Sequence, residues 1–215
     1  LGWWMVSSGL DGQVVDVFSY RLAIHLTMAF IILALIFWAI LFHSENPVKI
    51  FESRRYRKKF SVNMLVSLGF LCYVQLALGA LVAGIDAGRG YNDWPLMNGN
   101  WMPDDLFDYE PFITNFFENP GLVQFNHRII AYLLFFAVCL VWWNNRRSPY
   151  SKIRQASNYL IMIVSVQMLI GIITVLYSAP LSLASLHQFT AILFILAYIN
   201  LLFKNYYPVS QEISS

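Results

Sequence analysis

A chain of 215 residues that is 58% hydrophobic, 17% aromatic and only 12% charged is not built like a soluble domain, where about a quarter of residues are charged. The net charge of +2, with no basic patch interleaved with aromatics on a polar stretch, excludes a nucleic-acid-binding protein. The composition points to an all-α integral membrane protein.

The chain opens on Leu1-Gly2-Trp3-Trp4-Met5-Val6. This reads as the tail of a helix that begins upstream, so the chain is expected to be a fragment or one piece of a split protein. Five apolar runs then follow: Leu22–Phe42, Phe60–Ile85, Leu122–Trp143, Ala156–Ser178 and Leu181–Phe203. Each reaches the length of about 20 residues that a bilayer requires. Segment 44–59 carries Lys49, Arg54, Arg55, Arg57, Lys58 and Lys59, and segment 144–155 carries Arg146, Arg147, Lys152 and Arg154. Segment 86–121 is acidic instead, with Asp86, Asp93, Asp104, Asp105, Asp108, Glu110 and Glu118 against Arg89. Lys and Arg in short loops mark the cytoplasmic or matrix side. That rule puts 44–59, 144–155 and the C-terminus inside, and 1–21, 86–121 and the turn at Ala179-Pro180 outside, with every connection alternating. The basic run Arg54–Lys59 serves as the topology anchor or as a lipid-headgroup site.

The first, third and fifth runs therefore all descend from outside to inside. His25 is the fourth residue of its run, His127 the sixth and His187 the seventh, so the three histidines share one depth near the outer surface. His43 ends the first run at the inner surface and reads as interfacial. Cys72 and Cys139 lie roughly 12 Å apart in depth at the rise of an α-helix, too far for a disulfide.

Two further patterns organise the chain. Gln75-Leu76-Ala77-Leu78-Gly79 in the second run recurs as Gln167-Met168-Leu169-Ile170-Gly171 in the fourth, and His25 with Ala29 recurs as His187 with Ala191. The expected architecture is an antiparallel helical bundle from a duplicated four-helix unit, with five complete transmembrane helices here and the tail of a sixth. Residues 1–43 end the N-terminal unit and 44–59 form an inner linker. Residues 60–204 are the C-terminal unit, with its outer loop 86–121, and 205–215 are a tail. The Gln-Gly spacing also suits helix packing through small residues. Within the loop, Leu106, Phe107, Tyr109, Phe112, Ile113, Phe116 and Phe117 predict a short amphipathic helix on the outer surface. Trp94, Trp101 and this Phe-rich part are expected to pack over the second to fifth runs.

Ionisable groups inside a membrane run are costly and functional by default. One histidine there can be a proton relay, a substrate contact or a hydrogen-bonded core residue. Three at one depth favour metal ligation. Zinc fits poorly without cysteine or carboxylate at that depth, and non-haem iron needs a carboxylate. Two axial imidazoles on one haem fit best, with the outer ends of the third and fifth helices adjoining and His127 and His187 facing one gap. Arg21 and Arg128 sit where haem propionates reach the aqueous surface, or else act as snorkelling anchors.

The stretches Leu1–Leu10, Tyr20-Arg21-Leu22-Ala23 with His25, Gly79–Gly84 followed by Asp86-Ala87-Gly88, Tyr91-Asn92 with Trp94-Pro95-Leu96-Met97, Val123-Gln124-Phe125-Asn126-His127-Arg128 and Leu186-His187-Gln188 together resemble haem A synthase of the alphaproteobacterial and mitochondrial kind. The resemblance covers almost the whole chain. It implies eight transmembrane helices in a duplicated four-helix bundle, oxidation of a methyl group of haem O to the formyl group of haem A, and a b-type haem in the C-terminal half. It makes His127 and His187 the axial ligands of haem b and His25 one of two histidines at the substrate haem. His25's partner, and a glutamate just before that partner, would lie upstream of Leu1. At the corresponding place in this half stands Gln124, which is no general acid or base. The paired outer-loop cysteines of some members have no counterpart in these residues.

The resemblance implies an oxidoreductase of cytochrome oxidase biogenesis, in a bacterial inner membrane or the mitochondrial inner membrane. This chain alone is expected to be incomplete for catalysis. Implied partners are haem O, the bilayer, haem O synthase, a quinone or other electron acceptor, and further copies of the chain. The alternative is a non-enzymatic b-haem electron-transfer or haem-binding membrane subunit. His25 separates the two, because a one-haem carrier made of the second to fifth runs has no use for it.

Overall fold

In the computed structural model, which describes residues 1–7 and 18–208, the chain is all helical apart from turns and one bridge between Met97 and Asn100. Ser8-Gly9-Leu10, residues 11–17 of the outer segment and residues 209–215 of the tail lie outside the described residues. Among the described residues five helices are long and apolar enough to cross a membrane. They are α2 (Ser19–Ser44), α4 (Lys59–Gly84), α6 (Pro120–Asn145), α7 (Ser151–Leu176) and α8 (Leu181–Tyr206). Short helices α1 (Gly2–Ser7), α3 (Pro47–Ser53) and α5 (Asn115–Glu118) complete the set. The chain is an integral membrane protein built as a helical bundle.

The ends of these helices follow from local chemistry. Asn119 caps α6 by accepting the Leu122 N–H at 3.0 Å, with Pro120 directly after it. A proline there is pre-set for the first helical turn and has no N–H to leave unpaired. Asn46 caps α3 in the same way before Pro47, so the basic inner linker is partly helical. Arg57 lies 4.3 Å from the Tyr206 ring centre and Arg54 lies 5.7 Å from that of Tyr207. These stacked guanidinium groups tie the linker to the inner end of α8.

Helices α4, α6, α7 and α8 form a four-helix bundle in which each packs on its neighbours around the ring. Helix α2 lies against α4 and α8 outside this ring, and α1 lies against α2. The core is filled by Leu65, Leu68, Val138, Leu160, Ile195 and Leu201. Tyr198 crosses it from α8 and donates its hydroxyl to the Leu65 carbonyl oxygen at 2.9 Å. The crossing is possible because residue 69 is glycine, where a Cβ would come within 2.2 Å of the tyrosine oxygen. Cys72 is buried and Cys139 half-buried, both as free thiols.

Helices α6 and α8 are not neighbours in this ring. They stand diagonally across it, separated by α4 on one side and α7 on the other. The expectation that their outer ends adjoin is therefore corrected. Alternating up and down directions around a square put parallel helices on its diagonals.

Candidate functional site

His127 and His187 lie on these diagonal helices, and each is held by the helix beside it. The Gln75 Nε2 of α4 is 3.1 Å from His127 Nδ1 and 3.3 Å from its Nε2. The Gln167 Nε2 of α7 is 3.3 Å from His187 Nδ1 and 3.2 Å from its Nε2. The glycine one turn further along each helix completes the seat. A Cβ on Gly79 would fall 3.1 Å from His127 Cε1, and one on Gly171 would fall 2.9 Å from His187 Cε1. The repeated Gln-x-x-x-Gly pattern is thus a ring seat: an amide and a bare backbone that both meet the imidazole. Neither ring points to lipid, since each meets a glutamine and a glycine of the helix beside it.

His25 shows the same relation once more. It lies on α2, and a Cβ on Gly2 of α1 would fall 3.5 Å from its Cε1. Gly2 thus faces His25 as Gly171 faces His187, with more clearance. Arg21 is engaged by α1. It donates to the Trp4 carbonyl oxygen at 2.7 Å and lies 4.7 Å from the Trp4 ring centre, binding α1 to α2.

Arg128 is buried, and its guanidinium is largely engaged by the outer loop. Its Nη1 donates to the carbonyl oxygens of Asp93 (3.0 Å) and Leu96 (2.9 Å), and its Nη2 to that of Tyr91 (2.8 Å). The buried Nε is left without a partner. Gln124 joins the same clamp, giving its Nε2 hydrogen to the Tyr91 carbonyl at 3.1 Å while its buried Oε1 is unpartnered. The loop so held is an ordered cap. Asp93 accepts the backbone N–H groups of Asn98 and Gly99, both at 2.9 Å. These hydrogen bonds, Gly99's foremost, hold its carboxyl below the usual range. The Tyr91 hydroxyl donates to Asp105, and burial together with that bond pushes it up to about 12. Trp94 donates to the Tyr132 hydroxyl of α6 at 2.8 Å, and Asn92 to Ser178 in the α7–α8 turn at 3.0 Å.

Two parts of the expected cap differ. Trp101 is 77% exposed and packs on nothing that buries it. The Phe-rich part is no amphipathic helix: it has only a 3-10 turn, Phe112–Thr114, and the single turn α5. Asn115, wholly buried, accepts the Tyr109 N–H at 2.9 Å and donates to the carbonyls of Tyr109 (2.7 Å) and Phe112 (2.9 Å). Those bonds fold the chain back on itself, so Phe107 stacks on Phe112 with centroids 5.4 Å apart and 16° between planes. At the edge of this cluster the Tyr20 hydroxyl donates to Glu118, which joins the cap to α2.

The donor set at the bundle's outer end is two imidazoles, each pressed to a glycine. Among the described residues no group of three or more histidines, cysteines and carboxylates gathers at one point. Two soft nitrogen donors on facing helices, with side-chain bulk removed beside each ring, fit the axial positions of a haem iron and do not fit a tetrahedral zinc.

Fold and site together define a multi-pass helical membrane protein with paired histidines under an ordered outer cap. Residues 1–199 match the family described as cytochrome oxidase assembly protein, and the chain belongs to that family. It is similar to haem A synthases. That of Dinoroseobacter shibae is 46% identical over 213 residues, 99% of this chain and 56% of the relative. That of Roseobacter denitrificans is 42% identical over 215 residues, 99% of this chain and 56% of the relative. That of Paracoccus denitrificans is 46% identical over 192 residues, 89% of this chain and 50% of the relative. The chain thus spans about half the length of the curated relatives that it matches. No solved structure matches it.

Proposed function

We propose that this chain is the b-haem-bearing part of a haem A synthase, the oxidoreductase that converts the methyl group of haem O to the formyl group of haem A. The observation that carries the reading is the pair of equivalent ring seats, Gln75–Gly79 for His127 and Gln167–Gly171 for His187. His127 and His187 would supply the two axial nitrogens. The haem, when bound, supplies a one-electron redox centre. The chain's own residues orient and enclose that centre. The glycines let each ring lie close to a helix backbone, and Arg128 with Gln124 draws the loop 86–121 over the outer end. The unpartnered Arg128 Nε is the donor left for a propionate oxygen, while the rest of the guanidinium holds the cap. Arg21 acts on α1.

His25, seated on Gly2 outside the four-helix ring, belongs to a second site, where haem O would bind. The site in this chain has no internal carboxylate base, because Gln124 stands there as an amide spent on the Tyr91 carbonyl. Oxidation of haem O is therefore assigned to the His25 site and the parts of the protein that complete it. The membrane would be the bacterial inner membrane or the mitochondrial inner membrane, and a quinone or similar acceptor would take the electrons.

The test is the absorption and EPR spectrum of the chain purified in detergent with haem supplied. A low-spin bis-imidazole signature is expected. It should be lost in His127→Ala and in His187→Ala and kept in His25→Ala. Loss of the signature in His25→Ala but not in His187→Ala would overturn the assignment. Haem A formation by this chain alone would overturn the division of labour between the sites.

A further inference from the structure

Gln75 and Gln167 occupy equivalent places, yet their amides are held differently. Gln167 is fixed at both ends. Its Oε1 accepts the hydroxyl of buried Thr190, and its Nε2 lies 3.1 Å from the His187 carbonyl oxygen as well as against the ring. The residue three places after His127 that would match Thr190 is Ile130, which has no hydroxyl. Gln75 Oε1 is accordingly buried with no hydrogen-bond partner. A carbonyl oxygen held away from water and unpaired is rare and asks for the donor that would satisfy it.

An imidazole that ligates iron through one nitrogen carries a hydrogen on the other. That N–H needs an acceptor, and the acceptor sets ring orientation and ligand basicity. Half a turn about the last torsion of a glutamine exchanges its oxygen and nitrogen at nearly the same positions. Gln75 is free to make that exchange and gains a partner for its oxygen by making it. Gln167 would have to break its bonds to Thr190 and to the His187 carbonyl.

On the reading that His127 and His187 ligate one haem, we propose that Gln75 is a positioning residue for His127, accepting the hydrogen of its non-ligating nitrogen through Oε1. The His187 carbonyl oxygen, which can only accept, keeps the Gln167 N–H toward His187, so that ligand receives no such acceptor from Gln167. The two axial ligands are then inequivalent. His127 is the more electron-donating and favours the oxidised iron.

The experiment is a redox titration of the haem in the chain purified in detergent, with EPR of the oxidised form. Gln75→Leu should shift the midpoint potential upward and change the low-spin g values. Gln75→Glu, a stronger acceptor, should shift it below the wild type. Gln167→Leu should leave it near the wild-type value. Thr190→Val, which keeps the Gln167 bond to the His187 carbonyl oxygen, should also leave it near the wild-type value. Should Gln75→Leu fail to fold, Gln75→Glu decides the matter. Equal shifts in Gln75→Leu and Gln167→Leu, or an unmoved potential in Gln75→Glu, would overturn the proposal while the ligand assignment stands. A wild-type chain without a bis-imidazole spectrum would overturn the ligand assignment itself.

Discussion

Replacing Arg128 by methionine tests whether one side chain holds the outer cap. The guanidinium makes three hydrogen bonds of 2.8, 2.9 and 3.0 Å to the carbonyls of Tyr91, Asp93 and Leu96. It is only 8% exposed, so water does not replace these bonds at little cost. A hydrogen bond from a charged donor contributes about 1.5–3 kcal/mol. The three share one cation whose burial is itself costly, so their sum is discounted to about 3–5 kcal/mol against opening of the loop. That corresponds to roughly a hundredfold to several-thousandfold more of the open form, at about 1.4 kcal/mol per tenfold change. Hydrogen exchange of the backbone amides in 86–121, followed by mass spectrometry on detergent-solubilised protein without haem, measures this directly. Exchange in the loop should accelerate by that factor while the inner halves of α4, α7 and α8 keep their protection. Arg128→Lys, which keeps the charge but loses the fork of donors, should fall between. Unchanged exchange in the loop, or exchange that rises throughout the bundle, would refute the clamp.

Gly69→Ala should lower the melting temperature, because its Cβ would lie 2.2 Å from the Tyr198 hydroxyl oxygen and overpacking of this kind costs about 1–3 kcal/mol. Adding Tyr198→Phe should recover part of the loss, and a thermal-shift assay of the double mutant reads the coupling. Gly171→Ala should reduce haem bound per chain, read as the ratio of haem to protein absorbance. Gly79→Ala, with 3.1 Å of clearance against 2.9 Å, should reduce it less. Tyr91 is pushed up to about 12 from an ordinary 10.0, so its contribution to the cap is complete below pH 10 and is lost as pH rises toward 12. Loop exchange, corrected for its intrinsic pH dependence, should accelerate over that window in the wild type and show no such step in Tyr91→Phe.

The transmembrane part of this fold was legible because it rests on two signals that act over whole segments. Apolar runs of spanning length and the sign of the charge between them locate all five membrane helices, and α2 extends the run Leu22–Phe42 only to Ser19 and Ser44. That loop 86–121 covers the outer end was legible, with Trp94 on α6 as expected, but its shape was not, because that shape rests on single side chains that bond backbone far away in the sequence. Arg128 reaches carbonyls 32 to 37 residues earlier, and no local periodicity reports that. The apolar spacing of Leu106 to Phe117 resembles a helix, but Asn115 satisfies Tyr109 and Phe112 backbone groups that a helix would have used itself. Competition of this kind from asparagine side chains is a general reason why short amphipathic patterns fold as turns.

The repeated glutamine and glycine show how one pattern can be recognised without its purpose. Small residues on membrane helices usually let two backbones approach, and on that ground Gly79 and Gly171 pass for packing positions. The nearest groups to both are imidazole rings, so the missing side chains make room for a side chain of the next helix, not for its backbone. Spacing alone does not distinguish these cases, because both need a residue without bulk on the inward face. What distinguishes them is that the glutamine one turn earlier meets the same ring, and that the pair recurs at the two helices flanking the diagonal of the bundle. The two seats differ at the amide: Gln167 meets the Thr190 hydroxyl and the His187 carbonyl oxygen, while Gln75 Oε1 has no partner. Duplication therefore explains why the seats look alike, and the different partners of the two amides explain why two histidines in equivalent seats need not act alike.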